Sequence, residues 1–503
     1  FYIEFRYLLM LTVRKIKRKT MIRDIKDKYI RMPIQVKASF WFLICSFLQK
    51  GISVISTPIF TRLFTTEEYG RYNVFNSFLS IVTIFVSLSL AGGVYTQGII
   101  KYENNRLVYS STMQGLSVCL VLMWIVVYVL FHDMWNRMFG LTTIQMMSML
   151  LLIWTSSVFG FWAAEQQALF KYKALIVVTL VVSFLKPVVG IVFVMLADDK
   201  VTARILGLLL VELVIYTGLF FIQIKKGSKL FSKKYWMYAL GFNLPLIPHY
   251  LSQTILNNAD RIMIERMTGT SEAGLYSLAY SIALIMTLFN TSLMRTISPW
   301  IYRKIKENRV GDIASIVYPT LAAIAIVNLL LIAFAPEAVV IFAPIAYYDA
   351  VFVIPPVAMS VYFMYCYDLF AKFAFYYEKT NFIMTASVIG AVLNIIMNYV
   401  FINMYGYLAA GYTTLVCYIL YSICHYFFMK KVCSRYCDGI EPYNLKKIVG
   451  ITIIFLIAGS ILFATYEYPF IRFCLIGLFF ATIIFKKNMI VNMVKEFMIL
   501  KNI

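Results

Sequence analysis

Apolar runs of about 20 residues, long enough to cross the hydrocarbon of a bilayer as a helix, recur along the whole chain. About fourteen of them stand out, centred near Cys45, Val82, Met123, Ile153, Val182, Leu210, Ile247, Leu284, Ile324, Met359, Ala391, Val416, Phe455 and Ile476. The connections are short. The longest carry Lys225, Lys226, Lys229, Lys233 and Lys234, and later Lys430, Lys431, Arg435, Lys446 and Lys447. None has room for a catalytic domain. The pattern predicts an all-α polytopic membrane protein with about fourteen transmembrane helices.

Composition agrees with the bilayer as solvent. Of 503 residues, 61% are hydrophobic and 14% charged, against about a quarter charged in a soluble domain. The net charge of +22 admits either a nucleic-acid binder or a membrane protein with basic loops on one face. Distribution decides. With the N-terminus inside, alternate loops hold about 35 of the 46 Lys and Arg, the opposite loops about eight, and Lys50, Lys186 and Arg295 fall within spans. This asymmetry predicts a multi-pass protein of the bacterial inner membrane with both termini cytoplasmic, and it accounts for most of the charge without nucleic acid. Residues 1–33 read as a basic cytoplasmic arm or an artefact, with Met21 and Met32 as candidate true starts.

Polar positions carry an internal repeat. Glu68, Gly70, Tyr72 and Ser77 recur as Glu272, Gly274, Tyr276 and Ser281, all at one offset of 204 residues, and Arg62 and Arg266 share it. Both copies lead into a span from the same side, so the halves form a parallel pseudo-repeat, a transporter architecture. Each glycine is expected to allow a tight turn between spans, and each glutamate to complement a helix N-terminus.

The same residues resemble the polysaccharide-transport branch of the MOP superfamily (multidrug, oligosaccharidyl-lipid and polysaccharide exporters), and within it the Wzx-type flippases of O-antigen, capsule and teichuronic-acid pathways. Four stretches carry the resemblance: Thr57-Pro58-Ile59-Phe60-Thr61-Arg62-Leu63 with Glu68-Tyr69-Gly70; Leu244-Pro245-Leu246-Ile247-Pro248 leading to Asp260-Arg261-Ile262-Met263-Ile264; Ala273-Gly274-Leu275-Tyr276-Ser277-Leu278-Ala279-Tyr280; and Asn394 through Asn398 to Gly406, with Ala409-Ala410-Gly411 and Thr414. Asn403 stands where proline is common, and Ala409 and Gly411 invert the usual Gly-Ala-Ala order. The resemblance implies two six-helix bundles facing each other in a V, at residues 34–224 and 235–430, two extra C-terminal helices within 444–487, and a cytoplasmic tail at 488–503. It implies alternating access for an undecaprenyl-diphosphate-linked oligosaccharide, no cofactor, contact with membrane lipids, and association with polysaccharide polymerase machinery.

Charges within spans cost roughly 2.5–3.5 kcal/mol each on insertion scales and usually face a cavity or a partner. Lys50 and Arg295 are candidate ligands for the diphosphate or an acidic sugar; Lys50 can also snorkel to an interface. Lys186 precedes Pro187 and either binds substrate or satisfies the carbonyl that the proline frees. Asn394 and Asn398, four apart on one helical face, either line the cavity or hydrogen-bond between helices. Asp260 and Arg261 are placed at the end of the seventh span, on the outer face, as gating or coupling residues or as local partners of Arg266 and Glu265. Glu212, mid-span, is a candidate for proton or cation coupling, and Arg62 for gating; His249 is more simply a hydrogen-bonded structural group. Asp368 and Lys372 make an i,i+4 pair. The tyrosines Tyr362, Tyr365, Tyr367, Tyr376 and Tyr377 either stack on sugar rings or pack the bundle. Cys433 and Cys437 fall in a basic loop with no histidine beside them, so no metal site is expected.

No P-loop, zinc motif or Ser/His/Asp arrangement is present, so a non-enzyme is expected. The alternatives are a membrane polysaccharide polymerase or ligase, a drug/cation antiporter of the same superfamily, or a peptidoglycan-precursor flippase, distinguished only by substrate. The resemblance would give the antiporter an acidic residue in its first span, and Lys37 to Phe60 contains none.

Overall fold

The computed structural model describes residues 32–485, and they are helical throughout. The helices are α1 (Ile34–Leu63), α2 (Thr66–Ser87), α3 (Gly93–Lys101), α4 (Arg106–Leu130), α5 (His132–Phe139), α6 (Thr143–Ala168), α7 (Tyr172–Leu196) and α8 (Lys200–Gly227) in the first half. The second half holds α9 (Lys233–Asn243), α10 (Ile247–Met267), α11 (Thr270–Ala283), α12 (Met286–Lys306), α13 (Ala314–Ala333), α14 (Ala335–Phe342), α15 (Ile354–Tyr376), α16 (Thr380–Tyr405) and α17 (Ala409–Tyr436), followed by α18 (Leu445–Ala464) and α19 (Pro469–Phe485). Residues 1–31 and 486–503, with most of the expected arm and all of the expected tail, lie outside the described residues.

Each of the fourteen expected segments is helical, but ten helices among the described residues are long and apolar enough to cross a membrane. The count is eleven if Ile345–Phe352 and Ile354–Tyr376, bent by 48°, are one span. The shortfall has a physical cause. α2 starts with Glu67, Glu68 and Arg71 and continues with Asn73 and Asn76, and α10 carries Asn257, Asn258, Asp260, Arg261, Glu265 and Arg266. Such helices cannot face hydrocarbon along their length, and both lie where the halves meet. α19 is described for 17 residues only, and it stays apolar up to Phe485, where the described residues end. The fold is an all-α, multi-pass membrane fold.

In the first half α8 packs on α7, α6 and α4, and α1 lies along α7. In the second, α15 pairs with α17, α16 joins α10 to α17, and α18 packs on α13. α9 departs from this division. Tyr235 stacks edge-on against Tyr102 and Tyr109, the Trp236 indole donates to the Thr112 carbonyl at 2.8 Å, and Asn243 donates to the Leu88 carbonyl at 2.8 Å, all in the first half. The 3-10 turn Leu244–Leu246, set by Pro245 with Pro248 just beyond, then breaks the chain before α10. The seventh segment thus has one portion on each half.

Candidate functional site

The halves are joined at the end where α1 turns into α2 and α10 into α11. Thr65 caps α2 in a capping box: its hydroxyl accepts from the Glu68 N–H at 3.1 Å, and the Glu68 carboxylate accepts from the Thr65 N–H at 2.8 Å. Gly70 and Gly274 do not make the turns. Each lies inside its helix, and a Cβ on Gly70 would run into the Thr270 carbonyl oxygen, as one on Gly274 would into that of Thr66. The repeat glycines therefore let α2 and α11 approach backbone to backbone across a pseudo-two-fold axis. Beside them the Ser271 hydroxyl donates to the Thr66 hydroxyl at 2.7 Å.

The paired arginines act reciprocally. Arg62 donates to the Ile341 carbonyl at the end of α14, 3.2 Å away, and Thr61 to the Phe342 carbonyl at 2.5 Å. Arg266 donates to the Met138 carbonyl at the end of α5, at 2.8 Å, and pairs with Glu265 at 3.3 Å. Each half thus grips the other's short helix at a carbonyl-rich C-terminus, where a cation is favoured. The Tyr347 hydroxyl, 2.9 Å from the Thr65 carbonyl, completes this seal.

Asp260 lies within a helix and not beyond its end. α10 runs on to Met267, so Asp260 lies two turns inside, 1% exposed. Its carboxylate accepts from the Tyr276 hydroxyl at 2.6 Å, the Asn398 amide at 2.5 Å and the Thr414 hydroxyl at 3.0 Å. Asn398 also donates to Asn394 at 3.3 Å and accepts from Thr413. α10, α11, α16 and α17 therefore meet on one carboxylate. Arg261 turns away: it donates to the Asn257 carbonyl at 3.0 Å and stacks over the Tyr280 ring at 4.5 Å. His249, partly buried on α10, leaves Nδ1 unpaired.

In the first half Lys186 and Glu212 meet each other, N to O at 2.5 Å, with Glu212 4% exposed and Lys186 27%. Glu212 also accepts from Thr155 at 2.5 Å and Ser156 at 3.4 Å. The backbone beside Pro187 is served by a different cation. Arg204, near the start of α8, is buried, donates to the Lys186 carbonyl at 2.9 Å and lies 3.7 Å over the Phe60 ring. Nearer the basic loops, Glu165 accepts from Gln223 at 2.7 Å, and Gln223 accepts from Gln114 at 2.5 Å.

Between α12 and α15 lies a cavity of about 440 Å³ whose lining includes Thr287, Asn290, Thr291, Arg295, Asp368 and Lys372. Asp368 and Lys372 form the expected pair at 2.6 Å. Arg295 is exposed and makes no ion pair or hydrogen bond among the described residues. Lys50 is exposed on α1 and likewise unpaired there. The structure so separates the candidates into two free cations, two buried carboxylate clusters and one seal.

Several polar residues escaped the sequence reading. Glu165, Gln114, Gln223 and Arg204 sit near span ends, where a charge or amide normally reaches water, and only packing shows that they do not. Arg472, 3% exposed, is paired with Glu337 on α14 and ties α19 to the seal. Cys433 and Cys437 close α17 instead of lying in a loop. The one available signal was polar residues recurring at helical spacing in otherwise apolar segments.

These features define a class: an all-α membrane fold of two pseudo-symmetric helical halves, one that solved transporter structures also have. A solved structure of lipid II flippase MurJ in an inward closed conformation superposes with a TM-score of 0.66 at 14% identity, covering 89% of this chain and 99% of that one. A multidrug resistance MATE family transporter of the MOP superfamily, in an inward-facing conformation, gives 0.60 at 12% identity, covering 77% and 96%. Lsg locus putative protein 1 of Haemophilus influenzae is 26% identical over 399 residues, 71% of this chain and 88% of that protein. The profile of the polysaccharide biosynthesis protein family matches residues 36–305, and the chain belongs to that family.

Proposed function

We propose that this chain is a flippase, a transporter and not an enzyme, that moves undecaprenyl-diphosphate-linked oligosaccharide units across the bacterial inner membrane for surface polysaccharide such as O-antigen, capsule or exopolysaccharide. The observation that carries the reading is the reciprocal seal at one end of two repeated halves, combined with an unsealed, cation-bearing cavity on the second half. A sugar cannot cross hydrocarbon with its hydroxyls unpaired. A polar passage that opens to one side at a time answers that need without a continuous pore.

In this reading both termini and the basic loops are cytoplasmic, and the halves correspond to residues 34–224 and 235–430 with the helices of 444–487 appended. Arg62, with Arg266 opposite, holds the outward gate. Lys50 and Arg295 offer charge to the cargo's anionic groups. Asp260, with Asn394 and Asn398, and Glu212, with Lys186, are the two places where a proton or small cation entering or leaving would change the helix packing that the carboxylate organises. Polymerase machinery is the expected recipient on the far side. The drug/cation antiporters share the fold; α1, with Lys37, Lys50 and Arg62 and no acidic residue, argues against that alternative.

The test is a deletion strain in which the lipid-linked oligosaccharides are extracted and assigned to a membrane face. Intact units held on the cytoplasmic face, with surface polymer lost, are expected. Complete units reaching the outer face unpolymerised would instead identify a polymerase or ligase.

A further inference from the structure

The walls of the α12–α15 cavity differ in hydrogen-bonding character from its one free cation. Thr287 donates its hydroxyl to the Leu284 carbonyl at 2.6 Å and Thr291 to the Thr287 carbonyl at 2.8 Å. With their hydrogens spent, both present only lone pairs. Asn290 donates its amide to the Val361 carbonyl at 2.8 Å, which leaves Oδ1 without a partner on a side chain 9% exposed. Asp368, an acceptor at both oxygens, has Lys372 on one of them at 2.6 Å. The wall is thus rich in acceptors; its donors are Arg295, the ammonium hydrogens that Lys372 does not give to Asp368, and the tyrosine hydroxyls of Tyr365 and Tyr367.

Charge points the same way. Lys372 is committed to Asp368, so the cavity keeps one uncompensated positive charge, on Arg295. A diphosphate carries more than one negative charge and has only acceptors to offer. It would set its oxygens against the lone pairs of Thr287, Thr291 and Asn290 and against the Asp368 carboxylate. Sugar hydroxyls and acetamido N–H groups are donors and match those same atoms.

We infer that this cavity holds the glycan portion of the cargo, selecting a hydroxyl- and amide-bearing sugar with a single negative charge, and that the carrier's diphosphate is bound elsewhere. The inference rests on the translocation reading and narrows it. It assigns Arg295 to a sugar carboxylate, which a guanidinium holds in a two-point geometry.

The test uses the full-length protein purified in detergent and three probes: a glucuronic acid–N-acetylglucosamine disaccharide, a neutral N-acetylglucosamine disaccharide, and inorganic pyrophosphate. Binding is read by ligand-observed NMR and calorimetry. The acidic disaccharide is expected to bind roughly tenfold more tightly than the neutral one, as a charge-assisted hydrogen bond implies. Arg295→Gln should abolish that preference and leave the neutral sugar within about twofold. Thr291→Val should weaken both, and pyrophosphate should displace neither. Arg295→Lys, which keeps the charge and loses the fork, should retain part of the preference. Displacement of the disaccharides by pyrophosphate in an Arg295-dependent manner, or disaccharide binding indifferent to Arg295→Gln and Thr291→Val, overturns the inference. Cytoplasmic-face accumulation in the deletion strain alongside either result would leave translocation standing while this assignment falls.

Discussion

At the scale of single residues, the buried polar groups divide by what would replace their partners. Lys186 and Glu212 are an ion pair in a bundle interior, and removing one member of such a pair costs about 3–5 kcal/mol when both are fully buried. Lys186 is 27% exposed, so the cost is smaller. Glu212→Gln and Lys186→Met should each lower the thermal midpoint of the purified protein clearly, and the double replacement should recover much of the loss. Equal and additive losses in a double-mutant cycle would show that the two side chains are not coupled. Asn398 is a different case, since it donates a hydrogen bond to Asp260 and accepts one from Thr413. Asn398→Ala takes the donor from Asp260 Oδ1 at roughly 1–3 kcal/mol, since Thr413 still donates to the Ala410 carbonyl, while Asn394→Ala, at the weaker 3.3 Å contact, should cost less. The ranking is checked by midpoint shifts of the two variants side by side.

At the scale of elements, the repeat glycines fix how closely α2 and α11 can lie. Gly70→Ala puts a methyl group into a backbone carbonyl, which cannot swing aside as a side chain can. Gly70→Ala and Gly274→Ala should therefore part the seal while leaving each half folded. The readout is disulfide formation between cysteines at Thr66 and Ser271, whose hydroxyls are 2.7 Å apart. It should fall severalfold in either variant, and unchanged cross-linking would mean that α2 and α11 need no such closeness. The elements themselves were legible because apolar runs and identical repeat spacing are local properties of a sequence. Their roles were less so. The glycines read as turn formers because a glycine near a span boundary most often is one, and Asp260 read as a loop residue because hydropathy fades before α10 ends. That Asp260 meets Asn398, or Lys186 meets Glu212, depends on helix rotation and pairing, which no periodicity reports. The free cations were easier, since an unpaired charge in a span stands out whatever surrounds it.

At the scale of the molecule, the two halves are bound where Arg62 and Arg266 reach across, and α9 links them at the other end by staying on the first half while α10 belongs to the second. If the halves rock, the break at Leu244–Leu246 is where the chain must bend. Replacing Pro245 and Pro248 together with alanine, which restores helix continuity, should slow export without abolishing folding, as read by surface polymer at matched protein levels. An unchanged rate would show that the break is not used. The most direct measurement of the whole account is reversible arrest of the seal. Cells carrying the Thr66 and Ser271 cysteines on a background of the protein's other cysteines replaced should export polymer when reduced, stop when the disulfide is formed, and resume on reduction, with lipid-linked units building up on the cytoplasmic face in between. Export that continues with the disulfide quantitatively formed would contradict a transporter that must open at this end.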